Sequence, residues 1–310
     1  MKLVFMGTPE FADSALKTLI SSRHEVAAVF TRADAEKGRG HKLVPPPVKV
    51  TAAANSIPIY QPRTLRDGEA ERILRGIGPD CVVVAAYGRI LPHEIIALPK
   101  YGCVNLHGSL LPRLRGAAPI QRAIIDGEPE TGVTVMRMDD GLDTGDMMLK
   151  EGFPIGNMYF PEVLDRMSEI ASRLIIKALD MLEDGTARFL KQDGSKATYA
   201  DKITDGDRIL DFSLPGDALE RRVRALAPDV WAALPCGRFK ITKAAVSPER
   251  YAGKTGEIAA LSPKGEGWAD VVCGGGTALR ILRLIPEGKG EQTAGDACRG
   301  RKLVMGDVGV

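Results

Sequence analysis

The sequence predicts an α/β protein with a doubly wound, mainly parallel sheet, followed by a smaller second domain built from short β-strands. In the first half, short apolar runs that suit strands alternate with segments whose apolar residues have helical spacing. Beyond residue 207, short alternating strands follow one another at roughly 10–15-residue spacing between glycine-rich turns, which favours a small barrel.

The elements of the first half follow in order from these patterns. They are strands Leu3–Met6, Glu25–Thr31, Ile57–Tyr60, Asp80–Ala86, Cys103–Leu106 and Gly132–Met138, and helices Glu10–Ser21, Glu69–Arg75 and Glu162–Glu183. The run DCVVVAA in Asp80–Ala86 has the composition of a strand that a parallel sheet buries on both faces. Catalytic residues are expected at the carboxyl ends of such strands.

The turn Gly7-Thr8-Pro9 after the first strand does not predict a dinucleotide site. It lacks the G-x-G-x-x-G spacing, and Pro9 removes a backbone N–H that a phosphate cradle would use. A tight strand-to-helix turn is expected there.

The second half divides into a linker and a domain. Residues 187–207 are polar and loop-like, so we predict a catalytic domain over 1–186, a linker over 187–207 and a second domain over 208–310. Helix Asp217–Leu226 opens the second domain, and three arginines, Arg221, Arg222 and Arg224, lie on it. The predicted strands are Arg238–Thr242, Lys254–Leu261, Asp270–Cys273 and Ala278–Leu284.

Composition indicates a soluble, cytoplasmic enzyme. The chain has 310 residues, 44% of them apolar and 26% charged, which is typical of globular proteins. No apolar run approaches the ~20 residues that span a membrane, and the start does not have the pattern of a signal peptide. The five cysteines form no C-x-x-C pair, so reduced thiols and no metal site are expected.

Charge is distributed unevenly along the chain. The net charge is +2, but residues 208–310 hold sixteen Lys and Arg against twelve Asp and Glu. This surplus is weak evidence for RNA binding by itself. It fits a polyanionic partner if the charges cluster on one face of the second domain.

The segment from Asn105 to Asp146 carries the candidate chemistry. Asn105 and His107 are two residues apart, so both side chains leave the same face of a strand, and Asp143 follows in the turn GLDTGD. An Asn amide can stabilise an oxyanion, a His can pass a proton, and an Asp can orient that His. Spacing alone leaves plainer alternatives open, in which His107 is a structural residue and Asp143 an Asx-turn residue.

A basic loop covers residues 32–49. It holds five Lys and Arg against two acids, with Gly38 and Gly40 on either side of Arg39 and Pro45-Pro46-Pro47 at its exit. Composition alone is more typical of a solvated surface loop. The glycines predict flexibility and the prolines a stiff exit.

Several motifs together resemble the formyltransferases that use 10-formyltetrahydrofolate, and among them the methionyl-tRNA formyltransferases. They are Gly7–Ala12, Gly38-Arg39-Gly40, Ala86–Pro92, Asn105–Gln121, Gly141–Asp146 and Ala197–Ile203. The resemblance covers residues 1 to about 225 well and the rest in outline. It implies a Rossmann-like catalytic domain without a nicotinamide site and an OB-fold-like second domain that helps hold tRNA.

The resemblance also implies roles for matching residues. Asn105 matches an oxyanion-stabilising Asn, His107 a catalytic His and Asp143 a catalytic Asp. Two stretches match the folate site, namely Ser109, Leu110, Leu111 and Pro112, and Tyr87, Gly88, Arg89, Ile90 and Leu91. Residues matching the tRNA-contacting loop are Arg39, supported by Lys37, Lys42 and Lys49.

The implied reaction is formyl transfer from 10-formyltetrahydrofolate to methionine on initiator methionyl-tRNA, by a monomer that needs neither metal nor membrane. Leu114 stands where the family commonly has Trp. One alternative is a formyltransferase for a small amine, such as a nucleotide sugar or glycinamide ribonucleotide. The other is a tRNA-binding protein whose folate site is inactive.

Overall fold

The computed structural model describes residues 1–37, 42–234 and 237–309. The chain forms two compact units. The first contains Met1–Pro119, Glu130–Pro154 and Pro161–Asp201, and the second contains Ile120–Pro129, Ile155–Phe160 and the chain from Lys202 onward. Residues 187–201 therefore group with the first unit and residues 202–207 with the second, so the division falls inside the predicted linker.

The helices and strands of the described residues are given in chain order. Up to residue 201 they are β1 (Lys2–Gly7), α1 (Glu10–Ile20), β2 (Glu25–Phe30), β3 (Ala35–Lys37), β4 (Lys42–Val44), α2 (Pro47–Ala54), β5 (Ile59–Tyr60), α3 (Glu69–Ile77), β6 (Cys81–Ala85), α4 (His93–Ile96), β7 (Cys103–His107), β8 (Arg115–Gly116), α5 (Pro119–Ile125), β9 (Glu130–Arg137), β10 (Met147–Pro154), α6 (Phe160–Glu183) and β11 (Tyr199–Ala200). After residue 201 they are α7 (Gly216–Leu226), β12 (Trp231–Leu234), β13 (Gly237–Val246), β14 (Ile258–Ser262), β15 (Trp268–Val272), β16 (Ala278–Pro286), β17 (Gln292–Thr293) and α8 (Ala294–Arg299).

The first unit is built on a sheet with the strand order β10-β9-β7-β6-β1-β2-β5. The pairs β1–β2, β1–β6, β2–β5 and β6–β7 are parallel, whereas β9 is antiparallel to both β7 and β10. The chain places β2 on one side of β1 and β6 on the other, which is the doubly wound arrangement. The predicted Rossmann-like, mainly parallel sheet is confirmed.

Apolar side chains on one face of this sheet form a buried core. Val4, Phe30 and Val82 from neighbouring strands belong to one cluster with Leu74 of α3 and Ile95 of α4. Both faces of β6 are buried along its whole length, as its continuous apolar sequence predicts.

The turn after β1 connects that strand tightly to α1. A Cβ at Gly7 would lie 2.6 Å from the Phe5 ring and 2.7 Å from the Ala12 Cβ, so only glycine fits there. Pro9 occupies the N-cap of α1, a position that needs no backbone N–H. The predicted strand-to-helix turn is confirmed.

The second unit contains an antiparallel sheet with the order β12-β13-β16-β15-β14, and β17 pairs with β16. The predicted second domain of short β-strands is confirmed, and its strands pair in an antiparallel manner. The prediction that a strand begins at Lys254 is wrong, because β14 begins at Ile258. Gly256 has φ +84°, and the Lys254 backbone N–H donates to Glu257, so these residues form a turn.

Two short stretches from the first half join the second unit through hydrogen bonds that composition does not reveal. Arg122 forms a paired contact with Asp207 at 2.8 and 2.9 Å. Arg224 of α7 is buried, contacts Glu220, and donates to the Met158 carbonyl. Arg224 is therefore a packing residue within its unit.

Some elements lie where the sequence analysis predicts none. The clearest is α2, which begins where a stiff, extended loop exit is expected. Pro46 is its N-cap and Pro47 its first residue, the helix position at which proline is favourable. The sequence analysis also does not predict four other elements, β10, α5, β12 and α8.

Candidate active site

Asn105 and His107 lie at the carboxyl end of β7, as predicted. Their side chains are 9% and 5% exposed. β7 pairs with β6 on one side and with β9 on the other, so its position is set by neighbours on both edges. No hydrogen bond of the Asn105 amide is found within the described residues, which leaves its N–H groups available to a bound molecule.

The two ring nitrogens of His107 have different partners. Nε2 lies 2.9 Å from the Leu114 carbonyl oxygen, and Nδ1 lies 3.6 Å from Asp143 Oδ2. A carbonyl oxygen only accepts, so Nε2 carries a proton and donates it there. Nδ1 and the carboxylate then face each other across a short gap in which a proton can be shared.

Asp143 adopts a left-handed backbone conformation, with φ +52°. Asp is one of the few residues besides glycine that tolerate this region. Its Oδ2 accepts a hydrogen bond of 2.8 Å from the Gly116 backbone N–H. The carboxylate is thus aimed by its own backbone turn and by the loop that follows β7.

A glutamine and an arginine that the sequence analysis did not select support this turn. Gln192 Nε2 donates to the carbonyl oxygens of Asp143 and Gly145, at 2.8 Å each. Its Oε1 accepts from Arg115 Nε and Nη2, at 3.1 and 2.8 Å. The only available sequence signal was the neighbouring motif Ala197–Ile203, because Gln192 itself lies in a polar, loop-like stretch.

A narrow cleft of about 100 Å³ lies beside Asp143. Ile90, Leu91, Met136 and Met138 supply apolar wall, and residues 139–143 supply carboxylates and backbone. Flat heterocycles with N–H groups suit apolar walls with a few fixed acceptors. Two of the predicted folate residues, Ile90 and Leu91, lie in this cleft.

The other residues of that stretch have different surroundings. The Tyr87 side chain is buried in the core, and burial raises the pKa of its hydroxyl. Gly88 has φ +75°, and Ala86 before it φ +44°, so the chain turns sharply after β6. Only the backbone of Tyr87 can meet a ligand, whereas the Arg89 Nε is buried without a partner among the described residues.

The stretch Ser109–Pro112 lines a second and larger space. Leu110, Leu111 and Pro112 border a cleft of about 730 Å³ together with Arg113, Glu130, Lys150, Gly152 and residues 195–198. Ser109 is buried, and its hydroxyl donates to the Arg113 carbonyl oxygen at 2.6 Å. The predicted folate residues are therefore distributed over two clefts, and Ser109 fixes the turn between them.

The basic loop is described only in part. Arg39 and the side chain of Lys37 lie outside the described residues. Lys42 is exposed, whereas the Lys49 ammonium group contacts both carboxylate oxygens of Asp34, at 2.7 and 2.9 Å. Lys49 thus anchors the exit of the loop, and the predicted phosphate contacts stay predictions.

Covalent catalysis by the nearby cysteine has no support. Burial raises the pKa of the Cys103 thiol to about 12, and its Sγ contacts the Ile95 carbonyl oxygen. Within the described residues, no three His, Cys, Asp or Glu side chains are grouped as metal ligands would be. No helix in the same part of the chain is long and apolar enough to cross a bilayer.

Comparisons with protein families and with individual proteins point to the same family. Residues 1–179 match the model of the formyl transferase family, and residues 202–302 match that of the formyl transferase C-terminal domain. The chain is 44% identical to a methionyl-tRNA formyltransferase of Citrifermentans bemidjiense, over 99% of this chain and 96% of that protein. It is 40% identical to a methionyl-tRNA formyltransferase of Marinobacter nauticus, over 98% of both chains.

A solved structure supports the fold. The sugar 3N-formyltransferase WlaRD, crystallised in the presence of dTDP and 5-N-formyl-THF, superimposes with a TM-score of 0.63 at 17% identity. The match covers 91% of this chain and 97% of the other. With matches over both halves and relatives above 40% identity along nearly the whole length, the chain belongs to the methionyl-tRNA formyltransferase family.

Proposed function

We propose that this protein transfers the formyl group of 10-formyltetrahydrofolate to the α-amino group of methionine on initiator methionyl-tRNA. The product, formylmethionyl-tRNA, serves translation initiation. The observation that carries the proposal is the grouping of Asn105, His107 and Asp143 at one strand end, beside a cleft that suits a pterin. The relatives that match along the whole chain support the tRNA substrate.

In the proposed reaction, the amine nitrogen bonds to the formyl carbon while the bond from that carbon to the donor nitrogen breaks. Asn105 donates an N–H to the formyl oxygen as negative charge develops there. Asp143 accepts the amine proton, since its Oδ1 has no hydrogen bond within the described residues. His107 shares that proton through Nδ1, which allows its return to the leaving nitrogen.

In this proposal His107 does not donate a hydrogen bond to the oxyanion. Its Nε2 proton is already bonded to the Leu114 carbonyl, so the ring acts through Asp143. Leu114 occupies the family's common Trp position, and it supplies this carbonyl from a backbone with φ +56°. The contact depends on the backbone, so the side chain at this position can change without removing it.

The folate donor is a substrate whose pterin would lie against Ile90 and Leu91 and beside residues 139–143. When bound, it supplies the activated formyl group. Phosphates of the tRNA would meet the basic loop through Arg39, Lys37 and Lys42, with Lys49 holding the loop exit. We further propose that the protein acts as a monomer in the cytoplasm.

The test is formyl transfer from 10-formyltetrahydrofolate by the purified protein. Methionyl initiator tRNA is run beside methionyl elongator tRNA and free methionine, and formylmethionine is measured. Formylation of the initiator alone supports the proposal. Transfer to an amino sugar nucleotide or glycinamide ribonucleotide, but not to tRNA, would replace it with the small-amine alternative. Binding of tRNA without turnover would indicate an inactive folate site.

A further inference from the structure

Both ring nitrogens of His107 are held by loops, and each loop is anchored by one later segment of the chain. Nε2 contacts Leu114 in the loop after β7, and Nδ1 faces Asp143 in the turn 141–146. The later segment, residues 192–200, is called here the bracing segment. It lies wholly in the first unit.

The bracing segment anchors the first loop through a threonine hydroxyl and through strand pairing. The Thr198 hydroxyl oxygen accepts a hydrogen bond of 2.9 Å from the Leu114 N–H. Beyond it, β11 pairs with β8 in parallel, so Ala200 lies opposite Gly116. A Cβ at Gly116 would lie 2.8 Å from the Ala200 carbonyl oxygen, which shows how closely the two strands meet. The Gly116 N–H then donates to Asp143.

The same segment anchors the second loop through one side chain. The Gln192 amide bridges the Asp143 and Gly145 carbonyl oxygens with its N–H groups. Arg115, which is 6% exposed, donates twice to the amide oxygen. Arg115 can only donate, so the amide cannot turn over without facing its NH₂ group toward the guanidinium. Its orientation is therefore fixed.

We propose that Gln192 is a positioning residue that holds the Asp143 carboxylate beside Nδ1 of His107. The inference rests on the proposed function for its kinetic part. Asp143 has a left-handed backbone conformation, and its carboxylate points at Nδ1 while the turn keeps this shape. When the turn relaxes, the carboxylate moves away from Nδ1, while Nε2 keeps its contact with the Leu114 carbonyl oxygen.

Two substitutions separate the contacts of Gln192. Gln192→Glu keeps the size and the acceptor for Arg115, but it presents carboxylate oxygens to the carbonyls of Asp143 and Gly145. Gln192→Met keeps the length and removes every hydrogen bond. Lys191→Met is the matched control, since this neighbouring side chain is exposed. Each variant is checked for folding by circular dichroism and thermal melting.

Two readouts distinguish positioning from general stabilisation. In formyl transfer, both Gln192 variants should lower kcat about 10–100-fold, because small misplacement of a catalytic group is costly. KM for the tRNA should stay within about twofold, since its proposed contacts with the basic loop remain, whereas KM for the folate can rise because residues 139–143 line its proposed cleft. The ¹⁵N–¹H spectrum of the imidazoles is the second readout. The chain has four histidines, and His107→Gln identifies the relevant signal. The Nδ1 signal should shift in both variants, because the carboxylate no longer lies beside that nitrogen, whereas the Nε2 signal should stay close to its wild-type position.

The outcomes decide between the explanations. Wild-type kcat in both variants, or a lower kcat that only follows loss of folded protein with an unchanged His107 signal, would overturn the inference. If Gln192→Met does not fold, Gln192→Glu is read alone, because it retains the Arg115 contact. If the wild-type protein transfers no formyl group, the proposed function fails. The imidazole spectrum still tests the link between Gln192 and His107 in that case.

Discussion

At the scale of single residues, the three side chains of the site differ in whether they contact other protein groups. The Asn105 amide has no hydrogen bond within the described residues, whereas His107 and Asp143 contact other parts of the protein. A donor that no protein group uses can meet a developing oxyanion without first breaking a bond. Substitution of Asn105 should therefore affect the reaction more than the fold.

Asn105→Ala is expected to lower kcat by ~10²–10³ and to leave KM nearly unchanged, because the interaction forms only in the transition state. Steady-state formylation of methionyl initiator tRNA measures both constants. Cys103→Ala, two residues earlier on the same strand, is the control for altered packing of β7. A kcat for Asn105→Ala that matches the Cys103→Ala value would remove Asn105 from the proposed catalytic groups.

At the scale of elements, the turn 141–146 packs so closely against β9 that it has no room for an added methyl group. The turn 141–146 returns to β9, where the Arg137 N–H donates to the Asp146 carbonyl. A Cβ at Gly145 would lie 1.8 Å from the Arg137 carbonyl oxygen. The close approach of the turn to the strand is therefore a condition for the position of Asp143.

Gly145→Ala is expected to destabilise the protein by about 1–3 kcal/mol, the usual cost of overpacking, and to lower kcat by displacing Asp143. Gly76→Ala is the matched control, because Gly76 lies inside α3 with no atom near its added Cβ. That helix substitution should instead stabilise by about 0.5–1 kcal/mol. Chemical unfolding and kcat measured on both variants check this, and equal effects would contradict it.

Sequence patterns predict the helices and strands better than they predict the side chains that hold the loops in place. Apolar runs and helical spacing predicted β6, β7 and α6 closely, because burial decides those elements. The motif also led to Asn105, His107 and Asp143. Gln192 was missed because its role depends on Arg115 and Gly145, which are distant in the chain. No local pattern records such a contact.

At the scale of the whole molecule, each unit has its own stabilising interactions. In the second unit, the buried Asp270 of β15 contacts Arg280, Ser247 and Tyr251. Burial by itself would raise the pKa of this carboxyl, but the hydrogen bonds outweigh it and hold the pKa below its ordinary value. Sequence analysis predicted four of the strands described in this unit, but not the ionic group between them.

Asp270→Asn should lower the free energy of unfolding of the second unit by about 3 kcal/mol at neutral pH, since Arg280 loses its partner. The ordinary pKa is 3.8 and the folded value is lower. The stabilisation is therefore present above the ordinary value and is lost as pH falls through the folded value. The difference between wild type and variant should thus shrink in acid.

Denaturant unfolding followed by tryptophan fluorescence measures this difference, because both tryptophans, Trp231 and Trp268, lie in the second unit. Asp229→Asn is the control. Asp229 is paired with Lys240 at the surface, where an ion pair contributes about 1 kcal/mol or less. A difference for Asp270→Asn that stays constant with pH would contradict the assignment of the charge.

The bracing segment also offers one exposed site to a trypsin-like protease, at Lys196. The exposed Lys191 directly precedes Gln192, and the exposed Lys196 lies between Gln192 and Thr198. A trypsin-like protease that cuts after Lys196 would separate the anchor of Asp143 from the anchor of Leu114, although every helix and strand of the sheet would remain whole. A single cut at this position is therefore expected to stop formyl transfer before the sheet unfolds.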